Sequence, residues 1–237
     1  MHHQNNKNNM KKPALLSLQK IVLASTNPGK LEEFAYFFAQ TNILLEPQNN
    51  FTENHVEETG LSFIENALIK ARFAAKHSGL PALADDSGLC VDVLDGAPGI
   101  YSARYATSDP SYQKQDVHTA NVTKLLDQLN NIDIAGQTVK KEAQASFHCV
   151  LALVFHAEDP LPRIFHGQWH GTIIRERRGH CGFGYDPVFQ PDHYSCTAAE
   201  LSPEEKHRIS HRAQAVNQLM QWLTTHSTGE PDTELAV

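Results

Sequence analysis

Cysteine is scarce. Cys90, Cys149, Cys181 and Cys196 are the only four in 237 residues, and no two form a C-x-x-C pair. A disulfide framework packs more cysteines into a shorter chain, so reduced thiols are expected. Positive charge is also in deficit, with 20 Lys and Arg against 27 Asp and Glu and a formal charge of −7. A general nucleic-acid binder needs a basic stripe along the phosphate backbone, which excludes that class of partner. No apolar run nears the ~20 residues of a membrane helix; the longest lies near Cys149–Phe155. Ala14–Leu18 is too short and too polar for the apolar core of a signal peptide, so no membrane partner is expected and the cytoplasm is the default compartment. The 13 Gly and 12 Pro follow no collagen-like or mucin-like pattern. A Walker A loop and a G-x-S-x-G elbow are both missing, which argues against a P-loop NTPase or kinase and against a serine nucleophile of the esterase type.

What remains is a chain with 41% hydrophobic residues, enough for a sizeable core. Residues 1–19 are polar and carry three lysines and no acid, while 226–237 carry three acids and no Lys or Arg. Both ends read as flexible tails. Between them, 20–225 reads as one domain without repeats or a linker.

Ile21–Ser25 is a short buried strand in pattern, followed by a helix that lines up Leu31, Phe34, Ala35 and Phe38. Ile43–Glu46 is a second strand. Ser62-Phe63-Ile64-Glu65 has the form of a capping box and opens a helix with Ile64, Ala67, Leu68, Ala71 and Ala75 inward. Ala82–Ala84 and Leu89–Leu94 read as two short strands around ADDSG. Val117–Leu129 reads as a helix. Ala143–Phe155 places Ala143, Ala145, Phe147, Cys149, Leu151 and Leu153 at every second position, Arg163–Ile174 does the same with Phe165, Gly167, Trp169, Gly171 and Ile173, and the two should pair antiparallel. Ser202-Pro203-Glu204-Glu205 starts the last helical region, with Ala213, Val216, Leu219, Met220 and Leu223 on one face. The mixture predicts an α/β or α+β fold around a mixed sheet.

Five segments carry candidate chemistry. Ser25-Thr26-Asn27-Pro28-Gly29-Lys30 joins a strand end to a helix N-terminus, where free N–H groups and a lysine suit an anion; an ordinary turn capped by Thr26 or Asn27 fits as well. Asp85-Asp86-Ser87-Gly88 sets two carboxylates side by side, which calls for a metal or a cation nearby, or else marks a solvated acidic turn. Adjacent side chains on an extended chain face opposite ways, so one of the pair faces the site. Glu57-Glu58 stands before a helix; a Glu there and an Asp from ADDSG can bracket one Mg²⁺, though acids also suit a helix start. Gly182-Phe183-Gly184-Tyr185-Asp186-Pro187 offers close backbone approach and a ring that can stack on a base, or a glycine-rich hairpin. Lys206, His211 and Arg212 gather donors near the last helix, yet regular helical spacing does not turn all three to one side. A zinc site from His180, Cys181, His193 and Cys196 matches no standard spacing.

In order and spacing, VLASTNPGKLEEF, EETGLSFIENALIKAR, ADDSGLCVDVLDGAPGIYSARYA, GFGYDPVF and ISHRAQA resemble the Ham1/RdgB family, the inosine triphosphate pyrophosphatases. The resemblance runs from Lys20 to about Leu223. It implies a long mixed sheet with flanking helices forming two lobes around a cleft, the Maf-Ham1 fold, and a homodimer. It implies Mg²⁺-dependent conversion of dITP, ITP and XTP to the monophosphate and pyrophosphate. By motif, Ser25, Thr26, Asn27, Pro28, Gly29 and Lys30 match triphosphate contacts. Glu57 and Asp86 match metal ligands, with Asp86 also the proton acceptor. Ser87, Phe183, Gly184, Tyr185, Asp186, Lys206, His211 and Arg212 match the remaining substrate contacts. His180-Cys181 depart from the small residues usual before GFGYDP. A Maf-like pyrophosphatase of other specificity and a non-catalytic nucleotide-binding regulator are the rival readings; the first lacks the SHR and FGYD segments, and the second loses the carboxylates.

Overall fold

The computed structural model describes residues 18–134 and 143–227. Residues 1–17 and 228–237, most of the two expected tails, lie outside the described residues. The elements run β1 (Lys20–Leu23), α1 (Pro28–Phe38), β2 (Leu44–Pro47), α2 (Phe63–Ser78), β3 (Ala82–Val91), α3 (Val117–Ile134), β4 (Ala143–Val154), β5 (Arg163–Ile173), β6 (Phe189–Pro191), α4 (Pro203–Ile209) and α5 (His211–Ser227). The six strands form one mixed sheet in the order β2-β1-β3-β4-β5-β6. β1 is parallel to β2 and β3, and every other pairing is antiparallel. The alternation seen in 143–155 and 163–174 is the β4–β5 ladder, with Ala143 opposite Ile173 and Leu153 opposite Arg163.

Period 2 sorts the core onto the two faces. Leu83, Leu151, Leu153 and Phe165 pack under α1 and α5 through Phe34, Phe38, Ala215, Val216 and Leu219. Ala82, Ala84, Val150 and Ala152 face α2, whose Ala67, Ala71, Ala74 and Ala75 let the helix lie close on the sheet. Ile64, expected inward, is 46% exposed; it sits in the first turn, before the helix meets the strands. The far ends of β3, β4 and β5 form a second lobe with α3 and β6 around Leu89, Leu125, Phe147, Trp169 and Phe189. A cleft lies between the lobes, across the middle of β3.

Two expectations change. ADDSG does not separate two short strands: β3 runs straight through it, because β4 pairs with it from Ala82 (opposite Val154) to Val91 (opposite Ala145). The last helical region is broken at Ser210, which leaves helical geometry at ψ 161°. Its hydroxyl then accepts from Ala213 N–H at 3.2 Å and caps α5. That break lets the end of α4 and the start of α5 face one point. α5 can lie flat on β5 only because Gly167 is there: a Cβ at that position would come within 1.9 Å of the His211 carbonyl oxygen.

Candidate active site

The cleft holds a cavity of about 480 Å³. One wall is the β1–α1 junction. Asn27 Oδ1 accepts from Lys30 N–H at 3.1 Å and caps α1, which leaves the helix start and the Lys30 ammonium facing inward. The floor is the middle of β3, where period 2 sends the two aspartates to opposite faces.

Asp85 faces α1 and α5. It is 1% exposed and ion-paired to Lys30 through one oxygen and to Arg212 Nε through the other at 3.0 Å. Ser87 Oγ donates to it at 3.1 Å and the Cys149 thiol at 3.0 Å. Burial pushes its pKa up, but Arg212 and Lys30 outweigh this and hold the carboxyl well below the usual range. Asp85 is therefore a fixed anion that anchors two cations and has no oxygen free to take a proton.

Asp86 faces α2. Its Oδ1 accepts from Lys70 Nζ at 2.6 Å, and its buried Oδ2 has no hydrogen-bond partner. Burial raises its pKa more than Lys70 lowers it. Lys70 Nζ also pairs with Glu58 Oε1 at 2.8 Å, while Arg104 Nη1 holds Glu58 Oε2 at 3.0 Å. Two hard carboxylates thus share one half-buried cation beside an unpartnered oxygen.

The opposite wall comes from the glycine loop and the α4–α5 break. Gly182 has φ +77°, and a Cβ there would lie 2.1 Å from Asp186 Oδ2. The tight turn lets Asp186 accept from Phe183 N–H at 2.9 Å and from Lys206 Nζ at 2.6 Å. The Phe183 ring lies under Lys206 and Arg212, 5.1 Å and 5.9 Å from the two cations. His211 stacks on Phe147 at 4.9 Å, and its Nδ1 has no partner. Burial, then Arg212 and Lys206, push its pKa well below the usual histidine value. The ring is neutral, and its tautomer is free to match a ligand.

A Ham1 family model matches residues 21–222. The chain belongs to the Ham1 family. The dITP/XTP pyrophosphatase of Yersinia pseudotuberculosis is 51% identical over 203 residues, covering 86% of this chain and 97% of the relative. Its namesake in Escherichia coli K12 is 49% identical, with the same coverage of each. The solved structure of a HAM1 protein from Coxiella burnetii superposes with a TM-score of 0.77 at 47% identity, covering 87% of this chain and 98% of that one.

In this Ham1 chain the cavity gathers Ser25, Thr26, Asn27, Lys30, Asp86, Ser87, Phe183, Gly184, Tyr185, Asp186, Lys206, His211 and Arg212. Pro28 and Gly29 do not line it; they form the first turn of α1, and Gly29 packs against the Phe183 ring. Glu57, expected as a metal ligand, is exposed and lies off the cavity wall. Its neighbour Glu58 lines the cavity, held there by Lys70 and Arg104. Lys70 and Arg104 join the site without a motif of their own to mark them. Lys70 lies within the pattern of α2 and Arg104 in an irregular stretch, and only the fold brings them to the carboxylates. Among the described residues no group of three His, Cys, Asp or Glu is placed to hold a metal.

The neutral His211 makes a testable contribution to stability. In the unfolded chain it takes a proton near pH ~6.5, whereas the folded chain keeps it neutral. Below that pH the unfolded state binds the extra proton, so stability falls as pH falls, by up to ~1.4 kcal/mol per pH unit. Urea unfolding between pH 7 and pH 5 should show this slope reduced in His211→Phe, which keeps the stack on Phe147. Equal slopes in the two proteins would show that His211 is protonated when folded.

Proposed function

We propose that this chain hydrolyses non-canonical purine nucleoside triphosphates, dITP or ITP and XTP, to the nucleoside monophosphate and pyrophosphate. The names of its close relatives support the substrate class. The observation that carries the chemistry is the opposite fate of two neighbouring carboxylates in one cavity. Asp85 is locked between Lys30 and Arg212, and Asp86 keeps a buried free oxygen.

The triphosphate lies against the start of α1, where amide N–H groups and Lys30 take its oxygens. Asp86 Oδ2 holds and deprotonates the water that attacks the α-phosphorus. Pyrophosphate leaves toward Lys30. His211 and the Phe183 ring receive the base. Catalysis is mostly positioning and charge stabilisation, since no residue here is set up as a covalent nucleophile.

The residues fit Mg²⁺. Glu58 and Asp86 are oxygen donors that already share a cation, and Asp86 Oδ2 is buried without a partner. Mg²⁺ commonly takes one or two carboxylates and completes its shell with water and phosphate oxygens. Glu58, rather than Glu57, and Asp86 would hold it. When bound, the ion neutralises phosphate charge near the scissile bond. A homodimer and a cytoplasmic location complete the proposal, the first resting on the family resemblance alone. No helix among the described residues is long and apolar enough to cross a membrane.

The test is product identity. With Mg²⁺, dITP and XTP should yield pyrophosphate and monophosphate, well ahead of dGTP, dATP and dTTP. Orthophosphate and a diphosphate as the products would overturn the assignment.

A further inference from the structure

We propose that Lys70 is the resident counter-ion of the Glu58–Asp86 pair, and that a divalent cation enters by displacing its ammonium into the cavity. The inference deepens the metal role given above and rests on it. The motive is the geometry of three charges. Lys70 Nζ stands 2.8 Å from Glu58 Oε1 and 2.6 Å from Asp86 Oδ1, so one ammonium occupies the point where both carboxylates converge. Asp86 is 6% exposed and the Lys70 side chain 16%, so water screens the pair poorly. Left without a cation, two carboxylates aimed at one buried point repel strongly.

A divalent ion at that point neutralises both carboxylates, where an ammonium carries a single charge. Lysine is suited to the exchange: it is a compact charge on a flexible four-carbon stem, free to swing while its backbone stays fixed. That backbone is fixed, since α2 is held to the sheet by Ala67, Ala71, Ala74 and Ala75. Lys70 lines the same cavity, so its displaced ammonium remains inside it. Arg104 behaves differently. It holds the other oxygen of Glu58 from the rim, with 39% of its side chain exposed, and need not leave. Lys70 thus keeps the carboxylates placed in the metal-free protein and sets the affinity with which metal enters. It is a positioning residue whose removal should tighten metal binding while harming turnover.

The test uses the full chain without nucleotide and Mn²⁺ as the probe, titrated by calorimetry. Lys70→Met should bind Mn²⁺ about tenfold more tightly than wild type or better, and Lys70→Arg should not gain. A purely structural lysine would leave Mn²⁺ affinity unchanged or weaker in Lys70→Met, and that result would overturn the proposal. Lys70→Met that melts early without metal and recovers with Mn²⁺ supports it equally. The wild type gives an answer that needs no variant. The reaction of Lys70 with an amine-directed label, read by peptide mass spectrometry, should speed up severalfold when Mn²⁺ is added. An unchanged or slower rate sinks the exchange. Neither readout contains a nucleotide, so failure of pyrophosphate release and failure of the exchange are separately visible.

Discussion

Asp86→Asn should lower kcat on dITP by ~10²–10⁴-fold, the range for loss of a positioned general base, and further where metal binding is also lost. The reason is local. Asp86 Oδ2 is the buried oxygen left without a partner, while every oxygen of Asp85 is engaged. Burial raises the Asp86 pKa, which makes it a better base than a solvated carboxylate. Asn keeps the size of the side chain, so the melting temperature should change little against the change in rate. Asp85→Asn should show the reverse balance, with a large loss of stability from two cations left buried beside a neutral amide. Steady-state kinetics and thermal melts on the two variants separate the roles. Near wild-type turnover by Asp86→Asn would remove it from the mechanism.

The split between the aspartates was readable in the sequence, since adjacent residues on a strand face opposite ways. Which face meets which cation was not, because that depends on α2 lying on one side of β3 and α5 on the other. The same limit explains Glu58. An acidic pair before a helix is visible as a pair, but the choice of member is made by Lys70 and Arg104, which are distant in sequence. The long β4–β5 ladder was legible because the period-2 alternation along β5, matched by the first half of β4, has no helical counterpart. The continuity of β3 was hidden by charge: DDSG resembles a turn, and only its pairing along β4 and its buried cations make it a strand. The convergence of Lys206, His211 and Arg212 was hidden for another reason. A regular helix spreads those positions around its surface, and one residue, Ser210, leaves helical geometry to bring them together.

The second large effect concerns Arg212. An arginine beside a purine site suggests a reader of the 6-keto oxygen. Here three of the five guanidinium N–H donors are already engaged: Nε to Asp85 at 3.0 Å, Nη2 to Ser87 at 3.0 Å and Nη1 to Glu33. Arg212 is 2% exposed and braces α5 to β3 and α1 together. Arg212→Ala takes from buried Asp85 one of its two cations and from half-buried Glu33 its nearest one, and breaking such a buried pair costs about 3–5 kcal/mol. Urea denaturation near neutral pH should show a loss of that size. Because Asp85 also places Lys30, the surviving activity on dITP and dATP should fall by a common factor, leaving the preference for dITP intact. His211 is the better placed base reader, with a neutral ring and an unpartnered Nδ1. Loss of one buried hydrogen bond to the base is worth about 1–3 kcal/mol, so His211→Phe should cut kcat/KM for dITP by roughly 10–10²-fold and leave the slow rate on dATP nearly alone. The ratio of the two kcat/KM values across wild type, Arg212→Ala and His211→Phe decides between them. A collapse of the ratio in Arg212→Ala with stability preserved would return base selection to the guanidinium.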